Sequence, residues 1–283
     1  MVIVSLVVDA GANTRRVAVV MTCHNRRDTT IRCLKALLSQ KPGANVALFV
    51  TDDGSTDGTP DAIKSVMPNA SVLSGTGHLY WAAGMALAEG AAVADRPDYL
   101  LWLNDDTVLK PDALKGLLAL SDQAPGAIIV GACEDPETGS PTYGGRIRID
   151  FHPQRLRRLG VSTKPQRADT FHGNVVLIPM AVRRRVGPID GAFPHAYADD
   201  DYGLRATALG IPILQAPGVA ASCRIEDATW PMSDTLRTRW NWLGSPKGLP
   251  WRAQVRYLRR HGDWRWPLLL VAGQAKRLTG LGR

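Results

Sequence analysis

From Arg16 onward the chain alternates short apolar runs with amphipathic or Ala-rich segments, and this alternation constrains the fold more than any other feature. The runs "RVAVVMTC", "NVALFVT", "ASVLS", "DYLLWLN" and "AIIVGA" lack the polar alternation of a half-solvated strand, so they read as strands buried on both faces. The segments between them read as helices. "DTTIRCLKALLSQ" places Ile31, Leu34, Leu37 and Leu38 on one face, and "GTPDAIKSV" offers Thr59 as N-cap and Pro60 as a first-turn residue. "YWAAGMALAEGAAVA" and "PDALKGLLAL" complete the set. A chain patterned this way forms an α/β domain, a mostly parallel, Rossmann-like sheet with helices on both faces. Ligands of such sheets bind at the carboxyl ends of the strands.

The remainder is less regular. Cys133 to Phe171 is rich in Gly, Pro and Arg and predicts loops with one strand pair that includes "GRIRIDF". A strand "NVVLIP", a helix "MAVRRRV" whose Arg183–Arg185 form a solvated face, and a helix "DDDYGLRATALG" stopped by Gly210 follow. An apolar fraction of 45% and a charged fraction of 21% exclude a disordered chain. The four cysteines form no CxxC pair, so neither a disulfide framework nor a zinc knuckle is expected, and a reducing compartment is. The opening apolar stretch is too short for a membrane span and has no preceding positive residue, which predicts no signal peptide or anchor.

The net charge of +8 is unevenly placed: from Pro231 to Arg283 there are 11 Lys/Arg against 2 Asp/Glu, and six of eight Trp lie from Trp230 onward. We therefore divide the chain into an α/β domain, residues 1–230, and a basic, Trp-rich helical extension, residues 231–283. Apolar spacing in the extension predicts amphipathic helices at about 234–243, 251–260 and 265–279.

Three acidic groups share one kind of position. Asp52 and Asp53 end a strand, Asp105 and Asp106 end "DYLLWLN", and Asp199, Asp200 and Asp201 start a helix. Any one alone is most simply a solvated turn or a cap. Together they point to one crevice holding a hard cation or a proton. "LNDDT" is the metal candidate, with oxygen ligands suited to Mg²⁺ or Mn²⁺ on phosphates. Neither a P-loop nor a dinucleotide fingerprint is present.

These residues carry a resemblance. "VVMTCHNR", "VTDDGSTDGT", "GHLYWAAGM", "YLLWLNDDT", "GNVVLIPMAVRRRVGPID" and "YADDDYGLRATALG" together resemble family 2 glycosyltransferases of GT-A fold over roughly residues 15 to 222, and among them bacterial rhamnosyltransferase-like enzymes of surface polysaccharide synthesis. The resemblance implies a nucleotide-sugar half at about 15–133 and an acceptor half at about 134–230. It gives Asp53 to the nucleotide base, with Thr22, His24, Asn25 and Asp105 beside it. It gives Asp106, with Asp105, to the divalent metal, and Asp199 to the catalytic base of an inverting displacement. Trp81, His172, Asp200 and Arg205 are candidate contacts to acceptor or donor sugar. Relatives often carry Asn at the position of Ala86, His at that of Cys223 and an aromatic at that of His24. Cys223 thus falls where the metal shell is completed, although a thiol suits Mg²⁺ poorly. Trp102 reads as core.

The implied partners are a UDP-, dTDP- or GDP-sugar and a glycan or lipid-linked acceptor. The basic Trp-rich extension suits an anionic membrane surface, and hence the inner face of the plasma membrane; its other reading is a helical cap packed on the domain. A nucleotidyltransferase would also use acidic pairs and Mg²⁺, but "TCHNRRDTT" supplies no Gly/Arg/Lys-rich signature. A nucleic-acid-binding protein is disfavoured because the acidic crevice repels phosphate backbones.

Overall fold

The computed structural model describes residues 14–194, 196–225, 235, 237–238, 244–245 and 250–279. The opening stretch and most of the helix expected at 234–243 lie outside these residues. The predicted alternation is present: β1 (Arg16–Cys23), α1 (Arg27–Leu38), β2 (Asn45–Asp52), α2 (Thr59–Val66), β3 (Ser71–Ser74), α3 (Tyr80–Ala94) and β4 (Tyr99–Leu103) follow in turn. Next come β5 (Val108–Leu109), α4 (Ala113–Gln123), β6 (Ile128–Val130) and β7 (Cys133–Glu134). The middle segment holds β8 (Gly145–Arg148), β9 (Leu156–Arg158), β10 (Gln166–Ala168) and β11 (Thr170–Phe171). Then follow β12 (Val175–Pro179), α5 (Met180–Val186), α6 (Ala198–Ala208), β13 (Ile213–Gln215), β14 (Ala221–Ser222), α7 (Trp251–His261) and α8 (Trp266–Thr279).

Eight strands form the main sheet in the order β10-β13-β6-β12-β4-β1-β2-β3. β3, β2, β1 and β4 are parallel, as are β13 and β6, whereas β12 runs against both its neighbours. Val175 therefore pairs with Leu103, and the residues just before β12 reach the sheet edge where β4 ends in Asn104, Asp105 and Asp106. The predicted strand pair in the middle segment is a three-stranded sheet, β11-β8-β9.

Strand side chains sort by parity. Ala18, Val20, Trp102, Val176 and Ile178 pack in one core with Met85 of α3, Val182 of α5 and Tyr202 of α6. Val19, Met21, Leu101, Leu103 and Leu177 pack in the other with Leu34 of α1 and Leu117 of α4. Burial on both faces is why these runs carry no alternation. On α1 the buried stripe is Thr30, Cys33, Leu34 and Leu37, one step round from the predicted face. The N-cap of α2 is Gly58, at φ +79°; Asp57, not Thr59, caps it, accepting from the Thr59 N–H at 3.1 Å.

α3 lies close on β1 and β2. A Cβ at Gly84 would overlap the Thr22 hydroxyl, and the Thr51 hydroxyl donates to the Gly84 carbonyl at 2.7 Å, so only glycine permits this approach. α7 is part of the domain: Tyr257 and Leu258 are fully buried, and the Tyr257 hydroxyl donates to the Pro153 carbonyl at 3.0 Å.

Arg183 departs from its predicted solvated face. Its Nε donates to Glu89 Oε1 at 3.0 Å, and Glu89, on α3, is 1% exposed. Burial pushes the Glu89 carboxyl up while Arg183 opposes the shift. Removing one partner of such a pair strands a buried charge, so Arg183→Ala should lower unfolding free energy by about 3–5 kcal/mol. The exposed neighbour Arg184→Ala should change it by no more than ~0.5 kcal/mol; urea midpoints at constant m-value distinguish the two.

Candidate active site at the β4–β12 edge

The adjacent carboxylates after β2 are compensated by backbone. Asp52 Oδ2 accepts the Ser55 N–H at 3.0 Å. Asp53 Oδ1 accepts from Gly77 N at 2.8 Å, and Oδ2 from Leu79 N at 2.8 Å and Tyr80 N at 3.0 Å. Leu79, the first residue flanking α3, offers no side-chain cap, so Asp53 caps this helix from across the sheet edge. Asp53 is 4% exposed and both its oxygens are engaged. It forms the floor beneath the 76–80 loop, where the resemblance had it facing a base.

The loop after β1 is stitched to the loop after β2. The His24 Nδ1 lies 2.6 Å from the Asp53 carbonyl oxygen, and Asn25 Oδ1 accepts the Thr56 N–H at 2.7 Å. Arg27 N–H donates to Asp57 Oδ2 at 3.0 Å. His24 and Asn25 are exposed on the crevice rim. Thr22 lies deeper, its hydroxyl donating to the Thr51 carbonyl at 3.2 Å and packing against Gly84.

At the end of β4, Asp105 is buried and Asp106 partly open. The Arg26 guanidinium spans both, 3.3 Å from Asp105 Oδ1 and 3.0 Å from Asp106 Oδ2. Burial first, and then the neighbouring Asp106, push the Asp105 carboxyl up to about 6 against the pull of Arg26. Asp105 Oδ2 is buried without a hydrogen-bond partner. An orphaned carboxylate oxygen beside a second carboxylate fits a hard cation. The Cys223 Sγ lies 3.3 Å from Asp106 Oδ1. Burial and Asp106 push its thiol up to about 12, which makes it an S–H donor to Asp106. Among the described residues no cluster of three or more His, Cys, Asp or Glu converges as a ready cage.

The three aspartates at the start of α6 occupy three environments. Asp201 is fully buried, receiving Arg205 Nε at 2.9 Å, Arg260 Nη1 at 2.6 Å and His261 Nε2 at 2.8 Å. Asp200 is buried against Arg146 Nη1 at 2.6 Å, and burial with Asp199 nearby raises its carboxyl to about 7. Only Asp199 is partly open. Its Oδ2 accepts the Gly173 N–H at 3.0 Å and its Oδ1 the Asp200 N–H at 2.9 Å.

The other candidates are placed as follows. Arg205 ties α6 to the end of α5, donating to the Val186 and Pro188 carbonyls at 2.6 and 2.9 Å, so it and Asp200 serve the scaffold around the site. Trp81 is half-buried, donates Nε1–H to Asn104 Oδ1 at 2.8 Å and packs edge-on to the buried Trp102. His172 packs edge-on to Tyr143; burial first, then Arg146, lower its pKa to about 4, so it is neutral near pH 7.

Gly173 and Asn174, just before β12, join the two acidic centres. Gly173 N–H holds Asp199, while Asn174 Nδ2 reaches Cys223 Sγ at 3.5 Å and Thr107 Oγ1 at 3.3 Å. A Cβ on Gly173 would run into the Trp81 ring. Neither these two residues nor Arg26 was singled out from the sequence. The quoted motifs "VVMTCHNR" and "GNVVLIPMAVRRRVGPID" contain them, but only the fold, with its reversed β12, brings Gly173 and Asn174 to the carboxylates.

Comparison with known proteins bears on the fold and the family. No curated protein matches the sequence. A mannosyltransferase, PcManGT from Pyrobaculum calidifontis, solved with GDP-Man and Mn²⁺, shares the fold at TM-score 0.52 and 16% identity, covering 94% of this chain and 81% of its own. The family model described as glycosyl transferase family 2 matches residues 18–186. With the motif set, the mixed GT-A sheet and the acidic edge all in register, the chain is a glycosyltransferase and belongs to glycosyl transferase family 2.

Proposed function

We propose that the enzyme is an inverting, metal-dependent glycosyltransferase that moves a sugar from a nucleotide-sugar donor to a glycan or lipid-linked acceptor in bacterial surface-polysaccharide synthesis, as its rhamnosyltransferase-like motifs suggest. One observation carries the reading: of three consecutive aspartates only Asp199 is open, and Gly173 aims it from the strand start that also meets the Asp106 cluster. Asp106 and Asp105, with Cys223 adjacent, would hold Mg²⁺ or Mn²⁺, which when bound neutralises the leaving diphosphate. Asp199 accepts the proton of the acceptor hydroxyl as that oxygen attacks the anomeric carbon from the opposite face. His24, Asn25 and the 76–80 loop, held down by Asp53, form the nucleotide rim, and Trp81 and His172 line the way to the acceptor.

Assaying transfer from a panel of UDP-, dTDP- and GDP-sugars tests this directly, with GDP-mannose first because the structural neighbour binds it. Asp199→Asn should bind donor normally while turnover falls by ~10²–10⁴. Normal turnover would overturn the assignment, since Asp200 and Asp201 are closed off. Asp106→Ala should abolish both transfer and Mn²⁺-dependent binding of nucleoside diphosphate by calorimetry. Cys223→His should fold, retain activity and bind Mn²⁺ more tightly than the parent, because imidazole is the better ligand for that ion.

We also propose that the extension docks on the anionic inner face of the plasma membrane. No helix among the described residues is long and apolar enough to cross a membrane. The two tail helices divide the work. In α7 the cations Arg256 and Arg260 are bound to Asp190 and Asp201. Beyond it, Trp264, Leu268 and Val271 are 80%, 65% and 67% exposed at helical spacing, and Arg252, Arg259 and Lys276 of the same extension are exposed as well. Each Lys or Arg at such a surface adds ~1 kcal/mol. The protein should float with phosphatidylglycerol vesicles, release at high salt and ignore phosphatidylcholine. Trp264→Glu with Leu268→Glu should abolish flotation and leave transfer to a soluble acceptor intact.

A further inference from the structure

The Asp105–Asp106 pair already has a cation. Arg26, the residue flanking α1, places Nη1 against Asp105 Oδ1 and Asp106 Oδ2. Asp106 Oδ1 meets Cys223 Sγ and, at 3.3 Å, the Thr107 hydroxyl. Of the four carboxylate oxygens only Asp105 Oδ2 lacks a partner. A divalent cation of this kind takes one or two carboxylates from the protein and fills its other positions with water and phosphate oxygens, and Arg26 occupies one oxygen of each aspartate that would serve it.

The Arg26 side chain is 31% exposed and rises from the loop that also presents His24 and Asn25 on the crevice rim. A guanidinium that leaves two carboxylates needs another anion, and a diphosphate offers the bidentate oxygens it matches best. We propose that Arg26 is an exchangeable internal cation: the diphosphate of the incoming nucleotide draws it off Asp105 and Asp106, and the divalent ion takes its place. Resting on the metal-dependent reading above, this adds that neither ligand binds well alone. The ion by itself must displace a charge-assisted pair, and the diphosphate by itself must strip that pair from buried carboxylates. Bound together, each removes the other's obstacle. Such coupling falls in the range of about 5–150-fold.

Calorimetry with Mn²⁺ alone, with GDP and UDP alone, and with each nucleotide plus Mn²⁺ measures it in the parent and in Arg26→Met. The parent should bind Mn²⁺ at least about tenfold more tightly with nucleotide than without. Arg26→Met should bind Mn²⁺ alone about tenfold or more tighter than the parent, bind nucleotide more weakly, and lose most of the coupling. Arg26→Lys, a compact point charge, should fall between them, and serves alone if the Met variant does not fold. If the parent binds Mn²⁺ with nucleotide but neither variant gains affinity for Mn²⁺ alone, the exchange is overturned and the metal-dependent reading stands. If no protein binds Mn²⁺ under any condition, that reading falls and the exchange with it.

Discussion

The crevice depends on the grip of Asp53 on the start of α3. That helix begins with Leu79, Tyr80 and Trp81, none of which can cap it, and Tyr80 sits at φ +54°. Three backbone N–H groups converge on one carboxylate, which both completes the helix terminus and offsets the repulsion between Asp52 and Asp53. α3 then packs on β1 and β2 through Gly84, sets Trp81 against Gly173, and carries the buried Glu89 that orders α5 through Arg183. The crevice rim, the Trp81–Gly173 contact and the second half of the domain are thus referred to one residue at the end of β2.

The Asp199–Asp201 run shows how environment divides labour among identical side chains. Among the described residues, Asp201 is held by three side chains, Arg205, Arg260 and His261, two of them from α7. Asp200 has one cationic partner, Arg146, and an unpartnered second oxygen. Asp199 there has backbone donors only, and access to the crevice. Tyr197, at φ +77°, turns the chain into this helix and stacks on Tyr257 of α7 at 4.7 Å. The basic extension therefore braces the turn that presents Asp199, while its last helix leaves an apolar stripe to solvent.

Much of this was legible in the sequence, and the failures have definite causes. Strands buried on both faces are long apolar runs, so β1, β2 and β4 stood out, and their terminal carboxylates marked the edge of the sheet. The "NVVLIP" run read as a strand equally well, but its direction depends on partners far away in the chain, and reversal is what brings Gly173 and Asn174 to the site. Arg183 looked like one of three solvated arginines because its partner Glu89 lies on another helix, 94 residues earlier. Asp53 was found as a site residue by motif alone. Its contacts are to main-chain N–H groups, which every sequence supplies and none advertises.

The reversal of β12 also bears on how the protein comes into being. β1, β2, β3 and β4 pair with one another, and all four are complete by Leu103, so they can assemble while the rest of the chain is still being made. Asp106 meets Cys223 across 117 residues, and Asp201 meets His261 only 60 residues after its own synthesis. Contacts whose second partner is made in the last part of the chain form late. A growing polypeptide therefore holds β1 to β4 and the grip of Asp53 on α3 well before it holds the Asp106–Cys223 contact, and translation that stops short of α7 leaves the start of α6 without the Tyr257 stack and the Arg260 and His261 contacts.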